Sequence, residues 1–395
     1  MSFWYKAAKY LKKAYLCFMD FGSIIGQDFL KQYFDKIIRA GRVPHTQLFV
    51  GEQGTGALPM ALAFASHLLC QNEDNCRHKV DKLIHPDLHF VYPTVPTDSI
   101  KKPDSEAFLS IWREFLQANA YAGLYDWMKF LDVANKQGLI RVTDAENIIK
   151  KVAVKPYEAN YKIFIIWMIE KMNNETANKL LKILEEPPED TKFILIAENT
   201  DDILPTILSR CQIHHFAPLP IEVVKNQLIK NYNLTHDQAL KVAHQANGNW
   251  HKAMLLAQET NENNEFQQQF IEWVRVAFSA KKDRQAIRKL IIWSEKMATT
   301  GREAQKQFLE FALETFRQAL MINYQNSNLA YFDFTQNKFD LNKLAPFIHS
   351  QNIQNIYESV TNALYHIERN ANPKLIFLDL SINLTKFIHK TEKSI

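Results

Sequence analysis

Hydrophobic and polar positions divide the first half of the chain into alternating helices and strands. Residues 27–41 carry apolar side chains at helical spacing, and residues 47–50 form a short apolar strand that leads into glycines. Continuous apolar runs at 162–168 and 192–197 are typical of strands in a parallel sheet that is covered on both faces. Further helices are predicted at 58–70, 143–153 and 174–186. This alternation predicts a doubly wound α/β domain over about residues 20–217.

The second half of the chain shows helical spacing only. Residues 220–258 predict two or three short helices, which we interpret as a helical lid domain at 218–258. The polar stretch 259–264 is interpreted as a linker. From 265 to 395 the pattern predicts one helix after another, interrupted by a polar stretch at 323–340. We therefore expect a separate all-α domain after the lid.

Two segments stand outside this alternation. Residues 1–19 are expected to lie outside the fold, either as a tail or because translation starts at Met19, although an amphipathic surface helix is an alternative. An aromatic-rich insertion at about 105–132 is expected to be helical. In it, Trp112 and Trp127 could anchor a partner, but packing in the core is the preferred interpretation.

Composition and charge narrow the classes of function. The chain has 47 basic and 43 acidic residues, and four of the lysines lie in residues 1–18, which contain no acid. The remaining chain balances at 43 against 43, so the charge gives no sign of a nucleic-acid-binding surface elsewhere. No apolar stretch approaches the ~20 residues of a membrane span. Four scattered cysteines without an export signal fit a reducing cytoplasm.

Residues 51–59, GEQGTGALP, have the glycine spacing of a phosphate-binding loop. Gly51 and Gly56 are separated by four residues, with Gly54 between them, and the predicted strand and helix lie on either side. An active loop continues with lysine and then serine or threonine, whereas this chain has Ala57 and Leu58. The sequence therefore predicts the shape of a phosphate loop without its cation or its magnesium ligand.

The strand at 162–168 lacks the acids that would hold magnesium. It ends in Trp167 and Met168, where a metal-binding carboxylate would stand at the strand end. Glu170 follows shortly after and is expected to be a solvated surface residue. The nucleotide chemistry is therefore absent at two separate places in the sequence.

Four stretches together resemble the clamp-loader ATPase family of the AAA+ class, and within it the delta-prime subunits of bacterial DNA polymerase III. They are GRVPHTQLFVGEQGTG at 41–56, HPDL at 85–88, the long stretch 170–212 with NKLLKILEEPP and LPTILSRC, and, more weakly, ANGNWHKAM at 246–254. The resemblance covers most of residues 20–258. It implies an AAA+ module, a lid and a helical collar for oligomerisation at 265–395.

The resemblance gives Arg210 a role. With Ser209 and Cys211 it forms the SRC element, whose arginine in this family enters the ATP site of a neighbouring subunit as an arginine finger. A planar guanidinium suits this role because it binds two phosphate oxygens at once. The alternative is a local ion pair with Asp201 or Asp202.

The resemblance also raises the question of a metal site. Relatives carry a four-cysteine zinc module after the first helix, but here only Cys70 and Cys76 remain, followed by His78 and His85. These are weak zinc candidates, since two firm ligands are too few for a structural site. The alternative is two buried thiols and a surface loop, and lone His45 is expected to be a packed or capping residue. No metal is therefore expected.

As a whole, the resemblance implies a clamp-loader subunit that neither hydrolyses ATP nor needs Mg²⁺. Its active relatives have an arginine near the position of His251, and their strand ends in Asp-Glu. The implied partners are the ATPase (gamma/tau) and delta subunits, with the sliding clamp and primer-template DNA within the complex, and no membrane. Two alternatives stay open: an ATP-hydrolysing gamma/tau-type motor, which the missing lysine disfavours, and a stand-alone DNA-associated AAA+ protein.

Overall fold

The computed structural model describes residues 20–70, 73–98, 100–133, 136–258, 261–281, 283–324 and 339–390. The leader 1–19 and most of the polar interruption at 323–340 lie outside these residues. Contacts divide the chain into two compact units, which meet in sequence between Ala257 and Gln258, apart from the short stretch 134–136. The α/β part and the lid fall in the first unit, and the C-terminal helices form the second.

A five-stranded parallel sheet is the centre of the first unit. The strands are β1 (Thr46–Val50), β2 (Leu88–Val91), β3 (Lys162–Trp167), β4 (Thr191–Ala197) and β5 (Gln212–His215). Their order across the sheet is β2-β3-β4-β1-β5, so β1 lies between β4 and β5. Strands β1, β3 and β4 are buried along their whole length, as their continuous apolar runs predict.

Helices cover both faces of this sheet. In chain order they are α1 (Asp28–Arg39), α2 (Ala57–Cys70), α3 (Asp74–Asp81), α4 (Leu109–Ala118), α5 (Leu124–Phe130), α6 (Val142–Val152), α7 (Asn174–Glu185) and α8 (Pro205–Leu208). One core joins α1, α2 and the insertion to one face, and a second core joins α6, α7 and α8 to the other. The expected α/β fold with a parallel sheet is therefore confirmed.

The lid consists of three helices that share a small core. They are α9 (Ile221–Tyr232), α10 (His236–Ala246) and α11 (Trp250–Ala257). Trp250 is buried in this core, where Ile25 and Tyr121 from the α/β part also pack. The lid therefore packs directly against the module that carries the phosphate loop.

The predicted insertion holds α4 and α5. Trp112 and Trp127 are fully buried, and the ring of Trp112 stacks on Tyr92 with 4.1 Å between centroids. Core packing, the preferred interpretation of the two tryptophans, is confirmed. The helix predicted at 143–153 begins one residue earlier, at Val142, and the Arg141 N–H that precedes it donates to Asp144 over 2.9 Å.

The second unit is helical throughout its described residues, as the pattern predicts. Its helices are α12 (Asn261–Ser279), α13 (Arg284–Thr299), α14 (Arg302–Asn323), α15 (Leu341–Leu344), α16 (Ser350–Glu368) and α17 (Pro373–Ile388). Trp273 and Trp293 stack at its centre, with 5.2 Å between ring centroids. Within the described part of the chain, every helix is too short or too polar to cross a membrane.

Candidate functional site

The glycine loop lies at the carboxyl edge of the sheet. It runs from Gly51 to Gly56 between the end of β1 and the start of α2, and Gly51 N–H donates to the Ala197 carbonyl at the end of β4. Gly56 has φ +103°, a conformation that favours glycine. The loop therefore keeps the strand–turn–helix geometry that its sequence predicts.

Apolar side chains fill the space in front of the loop. Ala57 and Leu58 are buried at the start of α2, and Tyr121 of the insertion lies across Gly56. A cavity of about 30 Å³ remains, lined by the loop, residues 120–123 and the strand ends. That volume corresponds to roughly one or two water molecules.

The positions of the missing magnesium acids are also packed with apolar groups. Trp167 and Met168 are buried and belong to the core beneath α2 and the insertion, where Trp167 lies 5.1 Å from Trp112 between ring centroids. In the described residues, no group of three or more His, Cys, Asp or Glu side chains could hold a metal ion. The strand end is thus part of the hydrophobic core.

The lid contacts the loop at Gly54. Trp250 N–H, at the start of α11, donates to the Gly54 carbonyl over 3.1 Å. A Cβ atom on Gly54 would lie 2.0 Å from Oδ1 of Asn249, and Gly54 has φ +78°. Glycine is therefore required here because the lid approaches the loop closely, and because the backbone is left-handed.

A buried polar network joins the loop, the insertion and the lid. Asp126 of α5 accepts hydrogen bonds from Gln53 Nε2 in the loop and from Gly123 N–H, each over 2.8 Å. Its carboxylate lies 3.1 Å from Nε2 of His251 in the lid. Asn119 lies 2.7 Å from the other nitrogen of that ring. Three segments that are distant in sequence therefore meet at one carboxylate.

Asp126 stays ionised despite its burial. Only 4% of its side chain and 5% of the His251 side chain are exposed. Burial alone would raise the pKa of Asp126, but the facing His251 ring and the Gly123 N–H hold that pKa below its ordinary value. His251 thus interacts with a carboxylate of its own chain.

Glu170 is not the solvated residue that the sequence suggests. Its Oε1 accepts the Glu198 N–H over 3.0 Å, and its Oε2 is buried with no hydrogen-bond partner. Burial, assisted by the charge of Glu198, raises the pKa of Glu170 to about 7. The short 3₁₀ turn at Ile169–Lys171 turns this side chain back beneath the end of β4.

Arg210 lies in the turn between α8 and β5. Its guanidinium donates to the Thr206 carbonyl and forms an ion pair with Glu185 at the end of α7. The expected alternative partners, Asp201 and Asp202, do not form this pair. About 30% of the Arg210 side chain and 42% of the Glu185 side chain are exposed, so solvent reaches both charges.

The four zinc candidates do not lie together at one site. Cys70 and Cys76 form a disulfide between the end of α2 and α3, with 5.3 Å between Cα atoms. The alternative of two free buried thiols is therefore wrong as well. His78 is exposed on α3, whereas His85 is buried with its Nε2 3.2 Å from a Glu158 carboxylate oxygen.

The HPDL stretch has a structural role. Asp87 accepts three backbone N–H bonds, from residues 157, 158 and 159, over 2.6 to 2.9 Å. Burial would raise the pKa of Asp87, but these bonds lower it below its ordinary value. Asp87 and His85 thus fasten the loop that precedes β3. His45, expected to be packed or capping, is partly buried, with Nδ1 3.3 Å from the Thr191 carbonyl.

Sequence reasoning missed the polar residues around the loop. Gln53, Asn119, Tyr121 and Asp126 carry no motif, and three of them lie in the insertion. A capping signal was available, since Gly123 is followed three residues later by an acid. Nothing in the sequence indicated that the same acid would face His251.

Comparisons with known proteins agree with this geometry. The family described as "DNA polymerase III, delta subunit" matches residues 26–220. A Bacillus subtilis protein, DNA polymerase III subunit delta', is 27% identical over 336 residues, which are 83% of this chain and 84% of that protein. This chain is therefore similar to clamp-loader subunits of DNA polymerase III.

Two further relatives are more distant. Escherichia coli DNA polymerase III subunit tau is 24% identical over 216 residues, 55% of this chain but only 28% of tau. A solved structure of a gamma-subunit-related protein from Thermotoga maritima aligns with 90% of this chain and 99% of its own, at 14% identity and a TM-score of 0.39. We draw nothing from so loose a superposition.

Proposed function

We propose that this chain is the non-hydrolysing, delta-prime-type subunit of a clamp loader. The observation that carries the proposal is the contrast between its two motifs. The phosphate loop faces a small cavity lined by Leu58, Tyr121 and Met168, whereas Arg210 is partly exposed and is held by an ion pair that solvent reaches. In this proposal the chain binds no nucleotide of its own, and its arginine serves the nucleotide of another subunit.

In this proposal Arg210 acts as an arginine finger in trans. Its guanidinium would bind phosphate oxygens in the ATP site of a neighbouring gamma/tau-type subunit and stabilise the charge that develops during phosphoryl transfer. Ser209 and Cys211 position it, since Ser209 caps α8 and the Cys211 thiol donates to the Ile207 carbonyl over 3.1 Å. No residue of this chain is catalytic in cis.

The partners follow from the same proposal. The chain would assemble with the ATPase and delta subunits, and would act on the sliding clamp and primer-template DNA only within that complex, in the cytoplasm and away from membranes. It would need neither ATP, Mg²⁺ nor Zn²⁺ as its own cofactor. The small cavity at the loop gives an ATP-hydrolysing gamma/tau role no support.

The test is the clamp- and DNA-dependent ATP turnover of the assembled complex. Arg210→Ala is expected to lower it on the order of 10³-fold, as loss of an arginine finger does in GTPases. Arg210→Lys should keep only part of the wild-type ATP turnover, because lysine lacks the planar guanidinium that binds two oxygens at once. A matched control is Arg39→Ala, which removes another exposed arginine with its own carboxylate partner, Asp35. Turnover unchanged by Arg210→Ala would refute the finger.

A further inference from the structure

Four polar side chains and the backbone amide of Tyr121 form a connected path from the insertion to the lid and the phosphate loop. We call this set the clasp: Gln53, Asn119, Tyr121, Asp126 and His251. Tyr121 extends it further, because its hydroxyl accepts the Ile25 N–H over 2.9 Å. The clasp lies where the loop would otherwise face a bound molecule, since residues 120–123 line the remaining cavity.

The path has a defined direction. Oδ1 of Asn119 accepts the Tyr121 N–H over 2.9 Å, so the amide nitrogen of Asn119 must face Nδ1 of His251. That orientation makes Nδ1 the acceptor and places the ring proton on Nε2, which faces Asp126. Nε2 lies 3.1 Å from the Asp126 carboxylate but outside hydrogen-bonding geometry, so this last contact is electrostatic, and Asp126 is the end of the path.

Burial makes these contacts hard to lose. Asp126 is almost inaccessible to water, and a buried carboxylate that loses its donors keeps the full cost of desolvation. Separating the lid from the loop would remove His251 from Asp126, and would also break the Trp250–Gly54 hydrogen bond. The closed lid is thus stabilised by the chain's own polar groups.

Close packing supports the same arrangement. A Cβ atom on Gly123 would lie 2.4 Å from Cδ of Gln53, just as one on Gly54 would strike Asn249. Both contacts join segments that are distant in sequence, the insertion to the loop and the loop to the lid. Glycine at both places allows the three segments to approach within hydrogen-bonding distance.

We propose that the clasp takes the place of a nucleotide as the link between the lid and the phosphate loop. The insertion at 105–132 contributes Asn119, Tyr121 and Asp126 to this link. The lid contributes His251, which contacts Asn119 and Asp126. The lid therefore stays on the loop whether or not ATP is present. This inference is independent of the role of Arg210.

Hydrogen–deuterium exchange of the full chain tests it. Asp126→Asn is expected to speed exchange of amides at the start of α11 and in the loop at least about tenfold, because the lid opens locally. The control is Asp144→Asn, the same change at another buried carboxylate of the first unit, which accepts the Ser105 and Arg141 N–H groups. The control should leave exchange at α11 unchanged.

A milder variant covers the case in which Asp126→Asn does not fold. Gln53→Leu removes one donor from a half-buried side chain and should speed exchange at α11 about threefold. If this variant, or a folded Asp126→Asn, exchanges at α11 like wild type, the clasp is not the link. A rise that is uniform over the first unit would contradict the proposal equally.

The last part of the test adds nucleotide to the wild-type chain. Millimolar ATP with Mg²⁺ should leave exchange at α11 of the wild-type chain unchanged, because the link is already made. If ATP instead slowed exchange at α11 and in the loop, nucleotide would be the link, and the proposal would be overturned.

Discussion

The phosphate loop and the Arg210 turn lie in the same α/β module but differ in their surroundings. Around the loop, charged and polar groups are buried and satisfied by partners from the insertion and the lid, with Asp126 at the centre. At the turn, Arg210 has one carboxylate partner, Glu185, and both remain open to solvent. The loop is thus part of the core, whereas the arginine lies on the surface.

This difference separates a fixed structural element from a group that can move. A buried carboxylate that loses the groups facing it keeps the cost of its desolvation, so the lid contact at the loop is stable. An exposed ion pair contributes little and breaks readily, so Arg210 can leave Glu185 for a stronger anion. The loop is therefore held by buried contacts, whereas Arg210 is held by an ion pair that solvent reaches.

The largest effect is expected at Gly54. Gly54→Ala would place a Cβ atom against Asn249 in a left-handed backbone, and should lower the free energy of unfolding by about 4 kcal/mol. Urea denaturation measures it. Gly22→Ala is the matched control, since no atom lies within 4 Å of its Cβ position. Equal, small losses in both variants would show that the lid does not approach the loop.

A smaller effect is expected from the buried carboxyl at the sheet edge. The pKa of Glu170 is raised from 4.5 to about 7 in the folded chain, so folding favours the protonated form, and wild-type stability should fall as pH rises between these values. Glu170→Gln cannot ionise. Its stability relative to wild type should therefore increase by about 3 kcal/mol between pH 4.5 and pH 8, measured by urea denaturation.

Exposed Glu189 provides the control for this pH dependence. Glu189→Gln removes the same charge from the surface and should leave the pH profile of stability as in wild type. If the stability difference between Glu170→Gln and wild type did not change across this pH range, Glu170 would be solvated.

Removing the carboxylate partner of Arg210 should have a smaller effect, on the ATP turnover of the complex. If the proposed finger must leave Glu185 to reach a neighbour's phosphate, Glu185→Gln should raise the ATP turnover of the assembled complex, by no more than about fivefold. The increase should disappear in the Arg210→Ala background and shrink with added salt. Glu186→Gln, at the next and exposed position, should change nothing.

No gain is expected from restoring the consensus of the loop. Ala57→Lys with Leu58→Thr returns the cation and the hydroxyl, but Tyr121 and Met168 still limit the cavity to about 30 Å³. Calorimetry should therefore detect no ATP binding by the double variant, with circular dichroism as a check of folding. Micromolar binding would show that the missing side chains alone, and not the packing, exclude the nucleotide.

Local patterns predicted the parts of this fold that follow from the chain itself. The apolar runs of β3 and β4 and the stripe of α7 lie within about one residue of their predicted bounds. Strand β5 was missed because Gln212–His215 is an edge strand with only Ile213 strongly apolar, and exposed edges lack a hydrophobic run.

The site could be predicted only where it depends on residues that are consecutive in the sequence. The glycine spacing, Ala57 and Leu58 identified a phosphate loop without phosphate chemistry, and the strand end showed the missing acids. The ionic partners could not be predicted in this way, because Arg210 pairs with Glu185, 25 residues away, and not with an acid of its own turn. Hydrogen bonds of side chains depend on which surfaces the fold brings together.

By itself, the sequence determined that this module has no lysine, no hydroxyl and no carboxylate at the positions that would hold ATP and Mg²⁺. Only the tertiary structure decided what occupies that space. Asp126 and His251 are 125 positions apart, and their contact exists because the insertion and the lid fold onto the same loop. Backbone preferences and apolar periodicity act over a few residues. The burial that makes the contacts of Asp126 costly to break comes from the whole fold.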